Sequence, residues 1–291
     1  MADFREAFKS LRRSIVGIGL RNDPEFQILG SGSIVHPDGW VITNRHVVEP
    51  LLDTKRQMIR PDAAIFLFLQ HPPTAEFNSI AGIGITNIAE IAFLPVSAEG
   101  FEEHSEKSPP KLRNLEPTQV LIPENPDIGL CKIDVGQVPP QGLPLRPVGI
   151  VDSRNVSEGT PVGVMGFPQG LYIPEYYESL SQVQITPLLQ VGAIAGVLPF
   201  SSSDKPTSFV LDMMINPGSS GSPLFLKNGD VIGLVYATRL EYVPIHMPKQ
   251  RGEKAEIEDS GVYVPTGLGL AVPSAQFPAE WLVKDSKAKK R

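Results

Sequence analysis

The sequence predicts an all-β fold, built either as β-barrels or as a β-sandwich. The first observation is a series of short apolar runs bounded by turn residues, which is the pattern of consecutive strands in such proteins. The second is the composition, because 26 glycines and 29 prolines among 291 residues are too many for a helical bundle. The third is a hydrophobic content of 41% with 20% charged residues, which is ordinary for a folded chain and excludes wholesale disorder.

The predicted strands follow one another along most of the chain. Asp38-Gly39 and Lys227-Asn228-Gly229-Asp230 supply the turn residues of two hairpins. The strands are predicted at residues 14–20, 32–35, 40–43, 63–70, 88–95, 128–133, 161–165, 188–197, 208–214, 223–226, 231–237 and 267–272.

Two short helices are predicted outside these strands. The first has Asp3 as its candidate N-cap and an apolar face formed by Phe4, Phe8, Leu11 and Ile15. The second lies near the end of the chain, with Ser274 as candidate N-cap and an apolar face of Phe277, Trp281 and Leu282.

The irregular segments predict a division of the chain into two halves. Residues 136–147 are rich in Pro, Gly and Gln, which is typical of a linker. We therefore expect a first half at residues 1–140 and a second at residues 141–291. Two polar segments, residues 98–118 and 247–261, are predicted to be surface loops.

Charge and cysteine content exclude several classes of protein. With 26 Lys and Arg against 32 Asp and Glu, the net charge is −6, so a basic nucleic-acid-binding surface is not expected. The basic tail from Lys284 to Arg291 is most often a solvated segment, and a nucleic-acid or targeting role is the minor alternative. The single cysteine, Cys131, excludes an internal disulfide.

The sequence contains no pattern for insertion into a membrane or for export. No apolar run approaches the ~18 residues of a membrane-spanning helix. Arg12-Arg13 is followed by only a short apolar stretch, residues 14–20, without a small-residue cleavage site, which is not the pattern of a secretory signal. If the chain begins natively at Met1, we expect a cytoplasmic protein.

Two residues next to predicted strands are candidates for proton-transfer chemistry. His46 directly follows the strand at residues 40–43, whereas the other histidines lie in turns or polar segments. Alone, His46 would more often be structural. Asp127 directly precedes the strand at residues 128–133, and the alternative for it is a turn residue that bonds its own backbone.

A third candidate lies in a segment of small residues. Ser220 follows Gly218 and Ser219, and Pro217 and Pro223 bound the segment. Small side chains leave successive N–H groups unshielded, so that they can point at one oxyanion. A flexible Gly/Ser loop is the alternative, but the two prolines make it stiffer.

The three candidates occur in the order His, Asp, Ser. A nucleophilic serine needs a base within hydrogen-bonding reach and a carboxylate that fixes the tautomer of this base. The order is that of the chymotrypsin triad. It excludes the α/β-hydrolase arrangement, as does the absence of a G-x-S-x-G motif.

Six motifs in the same order make the chain resemble the trypsin-like serine peptidases, and among them most closely the HtrA/Deg branch. The resemblance covers nearly the whole chain, to about residue 274. The motifs are Gly30-Ser-Gly-Ser-Ile-Val, Thr43-Asn-Arg-His-Val-Val, Asp127-Ile-Gly-Leu, Gly159-Thr-Pro-Val-Gly-Val-Met-Gly-Phe-Pro-Gln-Gly, Asn216-Pro-Gly-Ser-Ser-Gly-Ser-Pro and Gly267-Leu-Gly-Leu-Ala-Val-Pro-Ser.

The chain departs from the family pattern at three points. Ser222 stands where the family usually has glycine. The interval between His46 and Asp127 is long for this branch, and we expect the extra chain, within residues 51–121, to be an elaborated strand pair and loop. No peptide-binding PDZ domain is expected after the last helix.

The resemblance implies two six-stranded antiparallel β-barrels with short N-terminal and C-terminal helices and an active site in the cleft between the barrels. It implies a serine endopeptidase in which Ser220 attacks the peptide bond, His46 acts as base and then acid, and Asp127 orients His46. The N–H groups of Gly218 and Ser220, together with that of Ser219, would form the oxyanion hole. No metal or organic cofactor is expected.

The resemblance also places the pocket for the P1 side chain, the S1 pocket, at residues without negative charge, namely Met214, Ile215, Val235, Tyr236 and Ala237. A desolvated P1 cation would have no partner there, so we expect cleavage after small or medium apolar residues. The expected partners are protein or peptide substrates, with a homo-oligomer as a further option. The alternative function is a non-catalytic peptide-binding module on a protease fold.

Overall fold

A computed structural model confirms the two predicted antiparallel β-barrels, each closed by six strands. The structure describes residues 3–22, 25–53, 55–56, 58–71, 80–93, 126–168, 172–177, 180–185, 187–199, 205–244 and 261–278. Within this part, no helix is long and apolar enough to cross a membrane.

The first barrel contains strands from the first half of the chain, closed in the order β1-β2-β3-β8-β7-β6. A small hairpin, β4 with β5, lies outside it. The strands are β1 Ile15–Asn22, β2 Glu25–Ile34, β3 Trp40–Thr43, β4 Leu52–Asp53, β5 Met58–Ile59, β6 Ala63–His71, β7 Ile80–Phe93 and β8 Gly129–Ile133. Within the expected elaboration at residues 51–121, β6 and β7 pair as a long hairpin, and residues 94–125, which include the predicted loop at 98–118, lie outside the described part.

The second barrel is closed in the order β12-β13-β16-β15-β14-β9, and β10 and β11 form a separate hairpin. Its strands, numbered along the chain, are β9 Pro161–Gly166, β10 Tyr172–Tyr177, β11 Leu180–Ile185, β12 Leu188–Leu198, β13 Ser208–Leu211, β14 Pro223–Phe225, β15 Val231–Pro244 and β16 Gly261–Pro273. The sequence patterns did not predict the hairpin of β10 and β11. Most of the predicted loop at residues 247–261 lies outside the described part.

In the described part of the chain the helices are few and short, and the one at Arg45–Val48 was not predicted. They are α1 Arg5–Leu11 and α2 Arg45–Val48, with 3₁₀ turns at Arg12–Ser14, Glu49–Leu51, Val135–Gln137, Pro140–Gly142 and Ser274–Gln276. The predicted linker at residues 136–147 contains two of these turns.

Both predicted N-caps differ from the structure. Helix α1 begins one residue later than expected, with Phe4 at the N-cap and no side-chain capping bond; Asp3 Oδ1 instead accepts the N–H of Arg5 at 3.0 Å. Ser274 lies inside a 3₁₀ turn, and its hydroxyl donates to the carbonyl of Val151 at 2.5 Å. Phe277 is buried, whereas Trp281 and Leu282 lie outside the described residues.

Among the described residues, three apolar clusters hold the fold together. One fills the first barrel, one fills the second, and the largest lies between the barrels and includes α1. In that interface the ring of Phe4 meets the ring of Phe225 edge-on, with 5.9 Å between their centroids, so α1 is anchored to the second barrel. Cys131 lies in the core of the first barrel, and burial raises the pKa of its thiol to about 12. The thiol therefore stays protonated and is not a candidate nucleophile.

Candidate active site

His46 is presented to solvent by the short helix α2, which directly follows β3. Val47 and Val48, the next two residues, are buried in the core of the first barrel. Because neighbouring residues on a helix point in different directions, burial of these valines leaves His46 on the outer side, where its side chain is 47% exposed. The burial of the two valines that follow His46 therefore fixes the direction of the imidazole.

Asp127 reaches His46 because β3 pairs with β8. Thr43 lies opposite Gly129 in this pairing, which places the segment before β8 beside the segment after β3. The carboxylate accepts two hydrogen bonds from His46, one from the backbone N–H at 3.1 Å and one from ring Nδ1 at 2.5 Å. Asn44 Nδ2 also donates to the carbonyl of Asp127 at 2.8 Å.

These bonds determine the chemical state of the histidine. An imidazole that donates its Nδ1 proton to a carboxylate carries its free lone pair on Nε2. The contact with Asp127 therefore fixes both the tautomer and the ring orientation of His46. The structure brings the two candidates, His46 and Asp127, into direct contact.

The segment around Ser220 is joined to the first barrel through its backbone. The N–H of Ser31, on β2, donates to the carbonyl of Ser220 at 2.7 Å. Gly221 has a φ of +82°, a conformation that other residues rarely adopt, and a Cβ at this position would overlap the carbonyl of Ser31. Glycine at this position therefore allows the close approach of the two barrels.

The hydroxyl of Ser31 makes a second connection between the barrels. It donates to the carbonyl of Gly218 at 2.8 Å and accepts the N–H of Phe167, just after β9, at 2.9 Å. Thr43 Oγ1 in turn donates to the Ser31 carbonyl at 2.6 Å. Ser31 is fully buried, so these bonds are shielded from water. They hold the Gly218–Ser219 peptide from its carbonyl end.

The same peptide is also held from its other end, since the N–H of Ser219 donates to the carbonyl of Asn216 at 3.0 Å. The predicted third oxyanion donor is therefore engaged inside the loop. Among the hydrogen bonds of the described residues, none uses the N–H of Gly218 or that of Ser220 as donor. These two N–H groups on either side of Ser219 are the ones available to a ligand.

The hydroxyl of Ser220 is directed toward the second barrel. It donates to the carbonyl of Tyr236, on β15, at 3.3 Å. No hydrogen bond joins the His46 ring to Ser220 in the described part of the chain. The structure thus joins two of the three candidates directly, and it places the third in a segment attached to the first barrel through Ser31.

The five residues expected around the S1 pocket fall into two groups. Met214 is 46% exposed, and Tyr236 and Ala237 are half-buried. Ile215 and Val235 instead belong to the core of the second barrel, with exposures of 3% and 0%. Ile215 packs so closely on Gly269 of β16 that a Cβ there would overlap it. The hydroxyl of Tyr236 lies 3.3 Å from Ser208 Oγ.

Sequence reasoning missed two residues that organise this site. Ser31 was noted only as part of the Gly30-Ser-Gly-Ser-Ile-Val motif, and Asn44 only as a neighbour of His46. Their partners are backbone atoms far away in the chain, so no pattern of side chains indicates them. The two glycines around Ser31 are the one available signal, because they mark a strand that another backbone approaches closely.

Comparison with known proteins supports the motif analysis. The family described as trypsin-like peptidase domain matches residues 30–234. None of the curated protein sequences matches the chain. Similar solved structures include the HtrA-type protease AlgW with a tripeptide, at 17% identity and a TM-score of 0.45, covering 94% of this chain and 60% of that one.

Two further structures are of the same type. Deg5 is 20% identical with a TM-score of 0.44, covering 80% of this chain and 84% of that one. The serine endoprotease from Yersinia pestis is 17% identical with a TM-score of 0.46, covering 94% of this chain and 64% of that one. The chain thus spans about 60% of the length of the AlgW structure. The family match includes the segments of His46, Asp127 and Ser220, and with it the chain belongs to the trypsin-like peptidase family.

Proposed function

We propose that the chain is a serine endopeptidase that hydrolyses peptide bonds through an acyl-enzyme. The observation that carries this proposal is the contact of His46 with Asp127, in which the carboxylate accepts both the backbone N–H and ring Nδ1 of the histidine. A histidine held in this way is a general base at Nε2. An ordinary turn aspartate would not need to bind the ring.

In the proposed reaction, Ser220 Oγ gives its proton to His46 Nε2 and forms a bond to the carbonyl carbon of the substrate. The tetrahedral intermediate collapses when His46 returns the proton to the leaving amine, and the C–N bond breaks. A water molecule, deprotonated by the same Nε2, then attacks the acyl-enzyme and releases Ser220. Asp127 stabilises the imidazolium that forms in each half of the cycle.

The oxyanion of each intermediate would be bound by the N–H groups of Gly218 and Ser220. Both are free of acceptors within the described part of the chain, and the bonds of Ser31 and Asn216 fix the peptide between them. Preorganised donors of this kind are worth roughly 2.7–4 kcal/mol each in comparable enzymes. We therefore propose a hole with two donors, without the N–H of Ser219.

We further propose cleavage after small or medium apolar P1 residues. Tyr236 and Ala237, two of the expected S1 residues that are half-buried, are uncharged. Met214 is also uncharged. A buried Lys or Arg at P1 would therefore lose its hydration without gaining a partner, which is costly.

A non-catalytic peptide-binding module is the second candidate, and one observation favours it. The only hydrogen bond of the Ser220 hydroxyl among the described residues goes to the carbonyl of Tyr236 instead of His46. A fold that binds peptides without cutting them would have no need for a Ser–His bond.

One experiment separates the two candidates. Wild type and Ser220→Ala are incubated with a peptide library, and the products are identified by mass spectrometry. We expect wild type to cleave after Val, Ala or Leu and Ser220→Ala to fall to background. A fluorophosphonate should label wild type alone. If the variant retained ordinary turnover, the proposed nucleophile would be wrong, and a P1 profile dominated by Lys or Arg would overturn the specificity.

A further inference from the structure

Strands β15 and β16 extend beyond the second barrel as a two-stranded ribbon. Strands β15 and β16 remain paired from Leu240 with Pro265 to Pro244 with Gly261. β13 pairs with β16 only at residues 269–271, so neither face of this extension is covered by another described strand. We call residues 240–244 and 261–265 the ribbon.

The ribbon is apolar although it is exposed. Glu241 is its only charged residue. Residues directly opposite each other in an antiparallel pair share one face, so Leu240, Tyr242 and Tyr263 form a tyrosine face and Val243 and Val262 lie on the opposite, valine face. The side chains of the tyrosine face are 50%, 46% and 69% exposed, in that order. The two tyrosine rings pack edge-on with their centroids 5.3 Å apart.

The base of the ribbon is fixed to the barrel. The register of β15 and β16 shifts between Thr238 and Leu240, and two threonines bridge the strands at this point. Thr238 Oγ1 donates to the carbonyl of Leu268, and Thr266 Oγ1 donates to the carbonyl of Arg239, both at 3.1 Å. The shift in register therefore changes the direction in which the ribbon leaves the barrel, and the two threonine bonds hold it in that direction.

A free backbone edge leads from the active site to the ribbon. β14 pairs with β15 only as far as Leu234. From Tyr236 onward, the edge of β15 opposite β16 has no strand partner among the described residues, and the carbonyl of Tyr236 itself contacts Ser220 Oγ. Tyr242 lies six residues after Tyr236, and because the register of β15 shifts over this stretch, the two residues are at most roughly 20 Å apart at about 3.3 Å per residue.

We infer that the tyrosine face is an exosite for the substrate of the proposed peptidase, and that it binds apolar side chains about five to seven residues before the cleaved bond. This inference rests on the proposed function. The resemblance places residues 235–237 beside the P1 residue, which belongs to the acyl part of the substrate. We therefore expect the acyl part to run along β15, away from the cleaved bond. An extended chain covers about 3.3–3.6 Å per residue, so six residues span the same distance as β15.

The size of the ribbon favours a peptide segment over a second folded protein. Large side chains such as tyrosine expose on the order of 150–250 Å² when fully accessible, so the three partly exposed side chains of the tyrosine face offer at most about 400 Å². A stable interface between folded proteins takes about 800 Å² from each partner. An extended apolar segment needs less area, because it adds to a site that already holds the cleaved bond.

The test uses three fluorogenic peptides that share one cleavage sequence. The first ends four residues before the cleaved bond, the second continues with Leu and Phe at positions five to seven, and the third continues with Ser and Gly at these positions. For wild type we expect kcat/KM of the second peptide to exceed that of the other two by about tenfold, mostly through KM.

The variants compare the two faces of the ribbon. Threonine keeps β-propensity and removes most of the apolar surface. In the double variant Tyr242→Thr/Tyr263→Thr, the tenfold advantage should disappear while the short peptide is cleaved at the wild-type rate. The matched control, Val243→Thr/Val262→Thr on the valine face, should retain the advantage.

Three outcomes would overturn the inference. An unchanged advantage in the tyrosine variant would show that the face binds nothing, and a loss in the valine control would assign binding to the other face. A dimer of wild type in sedimentation that the tyrosine variant abolishes would make a second copy the occupant. If wild type cleaves no peptide, the proposed function fails, and anisotropy of the second peptide on Ser220→Ala then tests the tyrosine face by itself.

Discussion

The two halves of the site are organised to different degrees. In the first barrel, His46 and Asp127 are joined by two hydrogen bonds, and the ring bond is only 2.5 Å long. In the second barrel, the Ser220 hydroxyl makes one bond to the described residues, a longer one of 3.3 Å to a backbone carbonyl. In the proposed mechanism the base, His46, is already oriented, whereas the nucleophile, Ser220, must exchange one hydrogen-bond partner for another.

The free energy of that exchange is small. An ordinary hydrogen bond between neutral groups contributes about 0.5–1.5 kcal/mol net, so the bond from Ser220 to Tyr236 is easily replaced by one to His46 when a substrate arrives. The charged contact of Asp127 with His46 is the stronger kind of hydrogen bond. The comparison therefore predicts that changes to the His46–Asp127 contact lower the activity more than changes to the residues that support the loop of Ser220.

The largest effect is expected for Asp127→Asn. The carboxylate accepts two N–H groups of His46, and an amide can accept only one of them through its oxygen. Its NH₂ group would face the other donor, or would force the ring into the wrong tautomer. We expect kcat to fall by about 10⁴-fold, as in a comparable triad, with KM nearly unchanged, measured on a chromogenic tetrapeptide.

The chain offers a matched control for this variant. Asp38 lies 3.5 Å from ring Nδ1 of His36 in an exposed turn of the same barrel, so Asp38→Asn changes a second His–Asp contact away from the site. It should leave kcat within twofold of wild type. If Asp127→Asn were equally harmless, the contact with His46 would be structural and the proposed role of Asp127 would be wrong.

A smaller effect is expected from Ser31→Ala, which acts on the second half. This variant removes the hydroxyl that holds the Gly218 carbonyl and the N–H of Phe167, so the Gly218–Ser219 peptide can tilt. Loss of one complete oxyanion donor costs about 10²–10³-fold. A misaligned donor should cost about 10-fold to 100-fold in kcat, with little change in KM.

Ser33→Ala is the control for this positioning role. Ser33 lies two residues further along β2 and is equally buried, and its hydroxyl has no hydrogen-bond partner in the described part of the chain. It should keep full activity. A peptide aldehyde, which forms an oxyanion with Ser220, should bind Ser31→Ala more weakly in proportion to kcat, while a product peptide should bind equally well. Equal weakening of both ligands would indicate a general structural defect instead.

The sequence was most informative where side chains bury in a regular pattern. Apolar runs and turn residues indicated the barrel strands, and the position of His46 directly after one such run marked it as a candidate. It was least informative where an element is exposed. The extension of β15 beyond Ala237 includes Arg239 and Glu241, so its apolar residues did not form the expected run.

The bounds and connections of the site depend on contacts between distant segments. Strand β13 ends at Leu211 instead of residue 214, because the chain leaves the sheet there toward the loop of Ser220 and exposes Met214. The link from Ser31 to Gly218 joins residues 187 positions apart. Neither segment alone indicates the other. The hydrogen bond that supports the loop of Ser220 is therefore visible only in the folded chain.

The smallest predicted effect concerns Ser222, which stands where the family usually has glycine. Its backbone continues the pairing near the active site, since its carbonyl accepts the N–H of Val235 at 2.9 Å. Its hydroxyl, however, is fully buried, has no hydrogen-bond partner among the described residues and lies against Gly166. An unsatisfied buried hydroxyl costs roughly 1–3 kcal/mol, so Ser222→Ala should stabilise the fold by about 1 kcal/mol and raise Tm by about 2 °C. The activity should not change, because the substitution does not touch the N–H groups of Gly218 and Ser220.

Calorimetry of two variants compares the two halves directly. Ser222→Ala removes the unpaired hydroxyl from the second barrel, and Ser33→Ala removes the corresponding hydroxyl from the first. A lower Tm for Ser222→Ala alone would mean that its hydroxyl has a partner, such as a bound water, which supports the loop of Ser220 from behind.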